Sequence, residues 1–204
     1  TFKSELLSVD TSSATAIRIF PKGGKGDPLR LERSGNQWEI IAGKKRYPAD
    51  SSAMRSILGS LVSLKAERVA ASDPSGWKTF EIDDSLARRV VVEQNGQTVA
   101  DFMTGKVSFI QNRSNPYGNQ GFITKSHVRL PDDDRVYVVD GFISMLFTDQ
   151  PSMYRFRQVC VFDRNRASKL LFIYPGDSSF QLTKSGTRWL VDGRPADSAR
   201  TAQF

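Results

Sequence analysis

Apolar and polar residues alternate along Ala16–Phe20 (AIRIF) and Leu29–Arg33 (LRLER), the pattern of strands with one buried face. The polar turn Ser34-Gly35-Asn36-Gln37 follows, and Trp38-Glu39-Ile40-Ile41 opens a third strand. Pro48-Ala49-Asp50-Ser51 then carries helix-start chemistry, because Asp50 or Ser51 can accept from the first free N–H groups of a helix. Over residues 51–67, Met54, Ile57, Leu58, Leu61 and Leu64 recur three and four apart, which predicts an amphipathic helix.

The same pattern returns near the end of the chain. The stretch from Val9 to Pro21 aligns with that from Phe162 to Pro175, with Asp10 on Asp163 and Ala14 on Ala167. Leu29–Ile41 aligns with Phe180–Val191, placing Leu31 on Leu182, Gly35 on Gly186 and Trp38 on Trp189. Pro-Ala-Asp-Ser recurs at 195–198, so Asp197 stands where Asp50 does. A period of roughly 45 residues reads as internal duplication of a strand-strand-strand-helix unit. Insertions between the copies fall in turns, where added length costs little. Trp38 and Trp189 are expected as buried core anchors at equivalent places, and Asp50 and Asp197 as helix caps. The second helix stops after about two turns, and the natural protein is expected to continue beyond Phe204.

Between the copies, Asp73-Pro74-Ser75-Gly76 breaks the chain. Two apolar runs about Asn95-Gly96 predict a hairpin, since both residues suit the positive φ of a type I′ turn. Two more strands flank a long polar loop from Gln111, another strand covers "RVYVVDG", and "GFISMLF" is a short helix. The expected fold is α+β, mainly antiparallel sheets with few helices, built around the duplicated unit. Three segments are expected: 1–71 as the first repeat, 72–151 as a β-rich middle, and 152–204 as the second repeat.

Taken in order, "TFKSELLSVDTSSATAIRI", the "SGNQWEI" to "KAERV" block, "WKTFEIDDSLARRVVV", "DDDRVYVVDG" and the closing "FRQVCVFDRNRASKLLFIYP" to "RPADS" resemble the bacterial domain of unknown function family 4340. The resemblance spans nearly the whole chain. One departure is "EIDDSLARR", where the family more often carries Gly-Leu-Asp-Asp-Pro; Ile82, Asp83 and Asp84 remain and Ser85 replaces the proline. The resemblance implies an envelope protein with the domain facing the periplasm, tethered to the inner membrane by an N-terminal helix preceding Thr1. It also implies neighbours among gliding-type ABC transporter components, and it supplies no catalytic residues.

Composition changes this picture little. The chain of 204 residues is 39% hydrophobic and 25% charged, an ordinary globular balance. A net charge of +7 favours anionic partners, but the basic groups, Lys44-Lys45-Arg46 and Arg155, Arg157, Arg164 and Arg166, are interrupted by acidic residues. The single cysteine, Cys160, excludes an intramolecular disulfide and reads as a buried strand thiol. His127 is the only histidine and reads as a strand-edge residue; no Gly-x-Ser-x-Gly elbow accompanies it. Asp132-Asp133-Asp134 lacks calcium-loop spacing and reads as a solvated turn, and Glu81, Asp83 and Asp84 as a structural turn. Gly23-Gly24-Lys25-Gly26 lacks both Walker spacing and a following helix, which leaves a hairpin loop. No catalytic, cofactor-binding or metal-binding residues are therefore expected.

Asn112, Arg113, Asn115, Tyr117 and Asn119 form the segment best suited to adaptable recognition. The expected function is a non-enzymatic accessory or interaction domain of a membrane-associated, transporter-linked complex, with envelope proteins rather than nucleic acid as partners. The alternative is a module for anionic polymer, nucleic acid or acidic glycan, with Tyr117, Phe122 and Tyr154 stacking near arginines.

Overall fold

A computed structural model describes residues 4–111, 122–157, 163, 165–176 and 178–201, arranged in two compact units, Thr1–Arg157 and Gln158–Phe204. In the first unit the alternating stretches become β1 (Ala16–Ile19), β2 (Leu29–Ser34) and β3 (Gln37–Ala42). Leu29, Leu31 and Ile40 are buried, and the residues between them face out. A short further strand, β4 (Lys45–Pro48), pairs with β3 before the helix begins. The unit therefore has four strands where alternation alone predicted three.

Helix α1 (Ser51–Val62) starts where Asp50 accepts from the N–H groups of Ser52 (2.9 Å) and Ala53 (3.0 Å). It is shorter than its apolar spacing predicted. Ser63 closes it, its N–H and hydroxyl both donating to the Gly59 carbonyl. Leu64 is buried beyond the helix, and Ala66–Ala71 forms β5 against β9 (Val136–Asp140). Pairing with an apolar strand outweighs the favourable helix propensity of Lys65-Ala66-Glu67.

The hairpin at Asn95-Gly96 joins β6 (Arg88–Gln94) to β7 (Gln97–Gln111), with φ of 49° and 81° at the two turn residues. Strand β8 (Phe122–Arg129) and the short helix α2 (Ile143–Leu146) complete the unit. A nine-stranded sheet runs β4-β3-β2-β1-β6-β7-β8-β9-β5, antiparallel at every pairing. Because β1 pairs with β6 and β5 with β9, segments 1–71 and 72–151 share this sheet.

One face of the sheet packs Ile17, Ile19, Leu31, Ile40, Val90 and Val92 with Met54, Ile57 and Leu61 of α1. The loop from Pro74 to Ala87 brings Trp77, Phe80, Ile82 and Ala87 against Val136 in a second cluster. Residues Val136 to Val139 are accordingly all buried, which is why β9 reads as a continuous apolar run.

The second unit holds a four-stranded antiparallel sheet in the order β10 (Lys169–Phe172), β11 (Phe180–Ser185), β12 (Arg188–Val191) and β13 (Arg194–Pro195), followed by α3 (Ser198–Thr201). Leu170 pairs with Leu182, Leu182 with Val191, and Val191 with Arg194. In the first unit Ile17 pairs with Leu31, Leu31 with Ile40, and Ile40 with Tyr47.

Candidate functional site

Trp38 stands near the start of β3, opposite Arg33 on β2, and the N–H of Ala49 donates to its carbonyl at 2.9 Å. The sequence predicted a buried anchor; Trp38 is only half-buried. The Trp38 side chain packs against the core and also walls an open groove lined by Pro48, Ala49, Met54, Leu58 and Phe156. The groove has a volume of about 460 Å³, with Asn36, Gln37, Ser51 and Arg55 around it.

Along the edge of this groove runs the segment Tyr154–Phe156, which leaves the turn Pro151–Met153. The N–H of Asp50 donates to the Tyr154 carbonyl at 2.7 Å, and that of Phe156 to the Pro48 carbonyl at 3.0 Å. Ala49 and Arg155 form the antiparallel bridge between them. The Arg155 guanidinium lies over the Tyr47 ring, 4.3 Å from its centre. Tyr154 is buried; its hydroxyl accepts from the Thr148 N–H at 2.7 Å and faces the carbonyls of Leu146 (2.7 Å) and Thr148 (2.8 Å). Burial pushes the Tyr154 phenol well above its ordinary pKa. The alternation Tyr154-Arg155-Phe156 after the turn Pro151–Met153 was the sequence signal for this bridged segment, and sequence reasoning missed it.

The second unit carries a groove of about 480 Å³ lined by Thr187, Arg188, Trp189, Pro195, Ala196, Ser198 and Thr201. Trp189, expected to be buried, is also half-buried. The N–H of Ala196 donates to the Trp189 carbonyl at 2.9 Å. Asp197 accepts from the N–H groups of Ala199 (2.9 Å) and Arg200 (3.1 Å). At Asp50, bonds from the Ser52 hydroxyl and the Ala53 N–H hold the carboxyl below its usual pKa.

The other candidates fall elsewhere. Asn112, Arg113, Asn115, Tyr117 and Asn119 lie outside the described residues, as does Cys160. His127 is not at a strand edge: β8 is flanked by β7 and β9, and the ring is buried, stacked 4.6 Å from Phe80. Its Nδ1 lies 2.9 Å from the Lys106 carbonyl, and burial lowers its pKa, so the neutral ring is favoured.

Asp133 is not a freely solvated turn residue. It binds Arg135 at 2.7 Å and accepts from the Tyr137 hydroxyl at 2.6 Å. The Arg135 guanidinium, above all, holds its carboxyl well below the usual carboxylate range. Glu81 turns the chain with φ of 53°, Asp83 accepts from the Ser85 N–H, and Asp84 pairs with the buried Arg129 at 2.9 Å. Gly23 and Gly24 form a short 3-10 turn between strands. Among the described residues no group of three or more His, Cys, Asp or Glu side chains is placed to hold a metal.

The family described as "Domain of unknown function (DUF4340)" matches residues 40–204, most of the chain. No curated protein and no solved structure matches it.

Proposed function

This chain belongs to the DUF4340 family, and on that premise we propose that it is a non-enzymatic interaction domain that holds extended segments of partner proteins at its sheet ends. The observation that carries this reading is the Trp38 groove, where the segment Tyr154–Phe156 already bridges backbone to backbone at the sheet end beside an apolar cavity. Main-chain bonds at such an edge give affinity without regard to sequence, and the neighbouring groove selects a side chain.

In this reading the two units are copies of one ancestral unit. The matching strand registers, the two Asp caps and the two Trp-walled grooves support that descent. The partners are envelope or transporter proteins, and the domain faces the periplasm from an inner-membrane anchor preceding Thr1. No described helix is long and apolar enough to cross a membrane. Cross-linking in intact cells, followed by affinity recovery and identification of the bound proteins, tests the reading. Envelope or transporter components are the expected recovery, and their absence overturns it.

A second reading, an anionic-polymer module, draws on Arg188, Arg194 and Arg200, which are exposed and carry no ion pair among the described residues. In the first unit Arg18, Arg30, Arg46, Arg89 and Arg129 each face a carboxylate, while exposed Arg55 and Arg68 carry no ion pair among the described residues. A salt-titrated binding assay with oligonucleotide and acidic glycan checks it, since polyanion binding must weaken steeply with salt.

A further inference from the structure

We propose that the groove beside Trp189 binds an extended peptide from a partner protein, added as a strand along β13, with an acidic residue followed by an aromatic one. The inference rests on the interaction-domain reading and names the chemistry of the partner.

The first unit shows what such a groove accepts. There the outward-facing groups are the Pro48 carbonyl and the Asp50 N–H, and both are satisfied by Tyr154–Phe156. In the second unit the Ala196 N–H is turned inward to Trp189, as the Ala49 N–H is turned inward to Trp38. Along an antiparallel strand successive residues point their backbone groups alternately in and out. Hence the Pro195 carbonyl and the Asp197 N–H point outward, and neither has a backbone partner among the described residues. An edge with free donor and acceptor is a template for strand addition.

Side chains set the specificity. Phe156 lines the first groove together with Trp38 and Pro48. Trp189 and Pro195 offer the same two walls, so an aromatic residue fits there. The residue before it lies elsewhere. Arg155 sits over Tyr47, which pairs with Ile40 on β3. The corresponding partner of Val191 on β12 is Arg194, and Arg188 lines the groove mouth where Gln37 stands in the first unit. A cation favoured over the Tyr47 ring is repelled by these two guanidinium groups. A carboxylate is attracted. The first groove thus takes aromatic-Arg-aromatic, and the second selects acid-aromatic.

The test titrates the full ¹⁵N-labelled chain with the capped peptide Ser-Met-Tyr-Glu-Phe-Ser, whose frame follows the chain's own residues 152–156. Controls replace Glu by Arg, or Phe by Ala. The expected result is movement of the Ala196 and Asp197 amides and the Trp189 indole, with the Glu peptide at least about threefold tighter than the Arg peptide, as an exposed ion pair allows. The Phe-to-Ala peptide should bind at least about tenfold more weakly. Arg194→Glu, at an exposed position, should reverse the Glu-over-Arg order.

The proposal is overturned if no peptide moves Asp197 at millimolar concentration, if Glu and Arg peptides bind equally, or if the shifts centre on Trp38 and Asp50. It is also overturned if heparin or a short oligonucleotide moves the same resonances and the Glu-Phe peptide does not. Peptide binding needs no envelope protein, so its failure is distinct from failure of the cross-linking test.

Discussion

Removing the Tyr154 hydroxyl by Tyr154→Phe isolates what fixes the extended segment beside Trp38. The ring stays and its burial is conserved, so no cavity forms and the change is confined to hydrogen bonding. The hydroxyl accepts from the Thr148 N–H at 2.7 Å and faces the Leu146 carbonyl at 2.7 Å. In the phenylalanine variant the donor at Thr148 loses its acceptor against an apolar ring edge. A buried polar group left unpaired costs about 1–3 kcal/mol, more than the net worth of the bond itself.

With a urea slope of about 2 kcal/mol/M, the midpoint should fall by about 0.5–1.5 M with the slope unchanged. Hydrogen exchange at the Asp50 amide should also accelerate, because that group donates to the Tyr154 carbonyl. A midpoint shift below about 0.2 M with unchanged Asp50 exchange would refute the claim that this hydroxyl anchors the segment.

Three further outcomes are expected. A methyl group added at Gly105 would lie 2.4 Å from the Phe80 carbonyl oxygen and 2.5 Å from that of Glu81, both backbone atoms that cannot swing aside. Gly105→Ala should therefore destabilise by about 1–3 kcal/mol in urea unfolding, against the gain of about 0.5–1 kcal/mol that alanine brings to an ordinary strand. Asp50→Ala should speed amide exchange at Ser52 and Ala53, whose N–H groups lose their acceptor, while Asp50→Asn keeps most of the protection. The Tyr137 phenol is pushed up to about 12, first by burial and then by its bond to Asp133. Its folded pKa exceeds the ordinary value of 10.0, so the neutral form is the stabilised one. Its contribution is complete below pH 10 and is lost as pH rises toward 12; Tyr137→Phe should flatten that part of the urea-midpoint profile.

What the sequence determined by itself is local. Two-residue alternation marked β1 and β2, Asn95-Gly96 marked the hairpin, and Pro-Ala-Asp-Ser marked the start of α1, because each signal is complete within a few residues. The likeness of Leu29–Ile41 to Phe180–Val191 was legible for the same reason.

Only the tertiary structure decided the rest. Whether β1 pairs with β6, and β5 with β9, depends on segments far apart in the chain, and no local pattern encodes which distant edge will meet which. The β5–β9 pairing made Ala66 and Glu67, the end of the expected helix, part of a strand, and the pairing of β8 with β7 and β9 placed His127 inside the sheet rather than at its edge. Burial is likewise a property of what covers a side chain. Trp38 and Trp189 read as core residues in the sequence, yet each is only half-buried and walls an open groove. Phe156 lines the Trp38 groove only because the chain returns more than a hundred residues later to lie along Ala49.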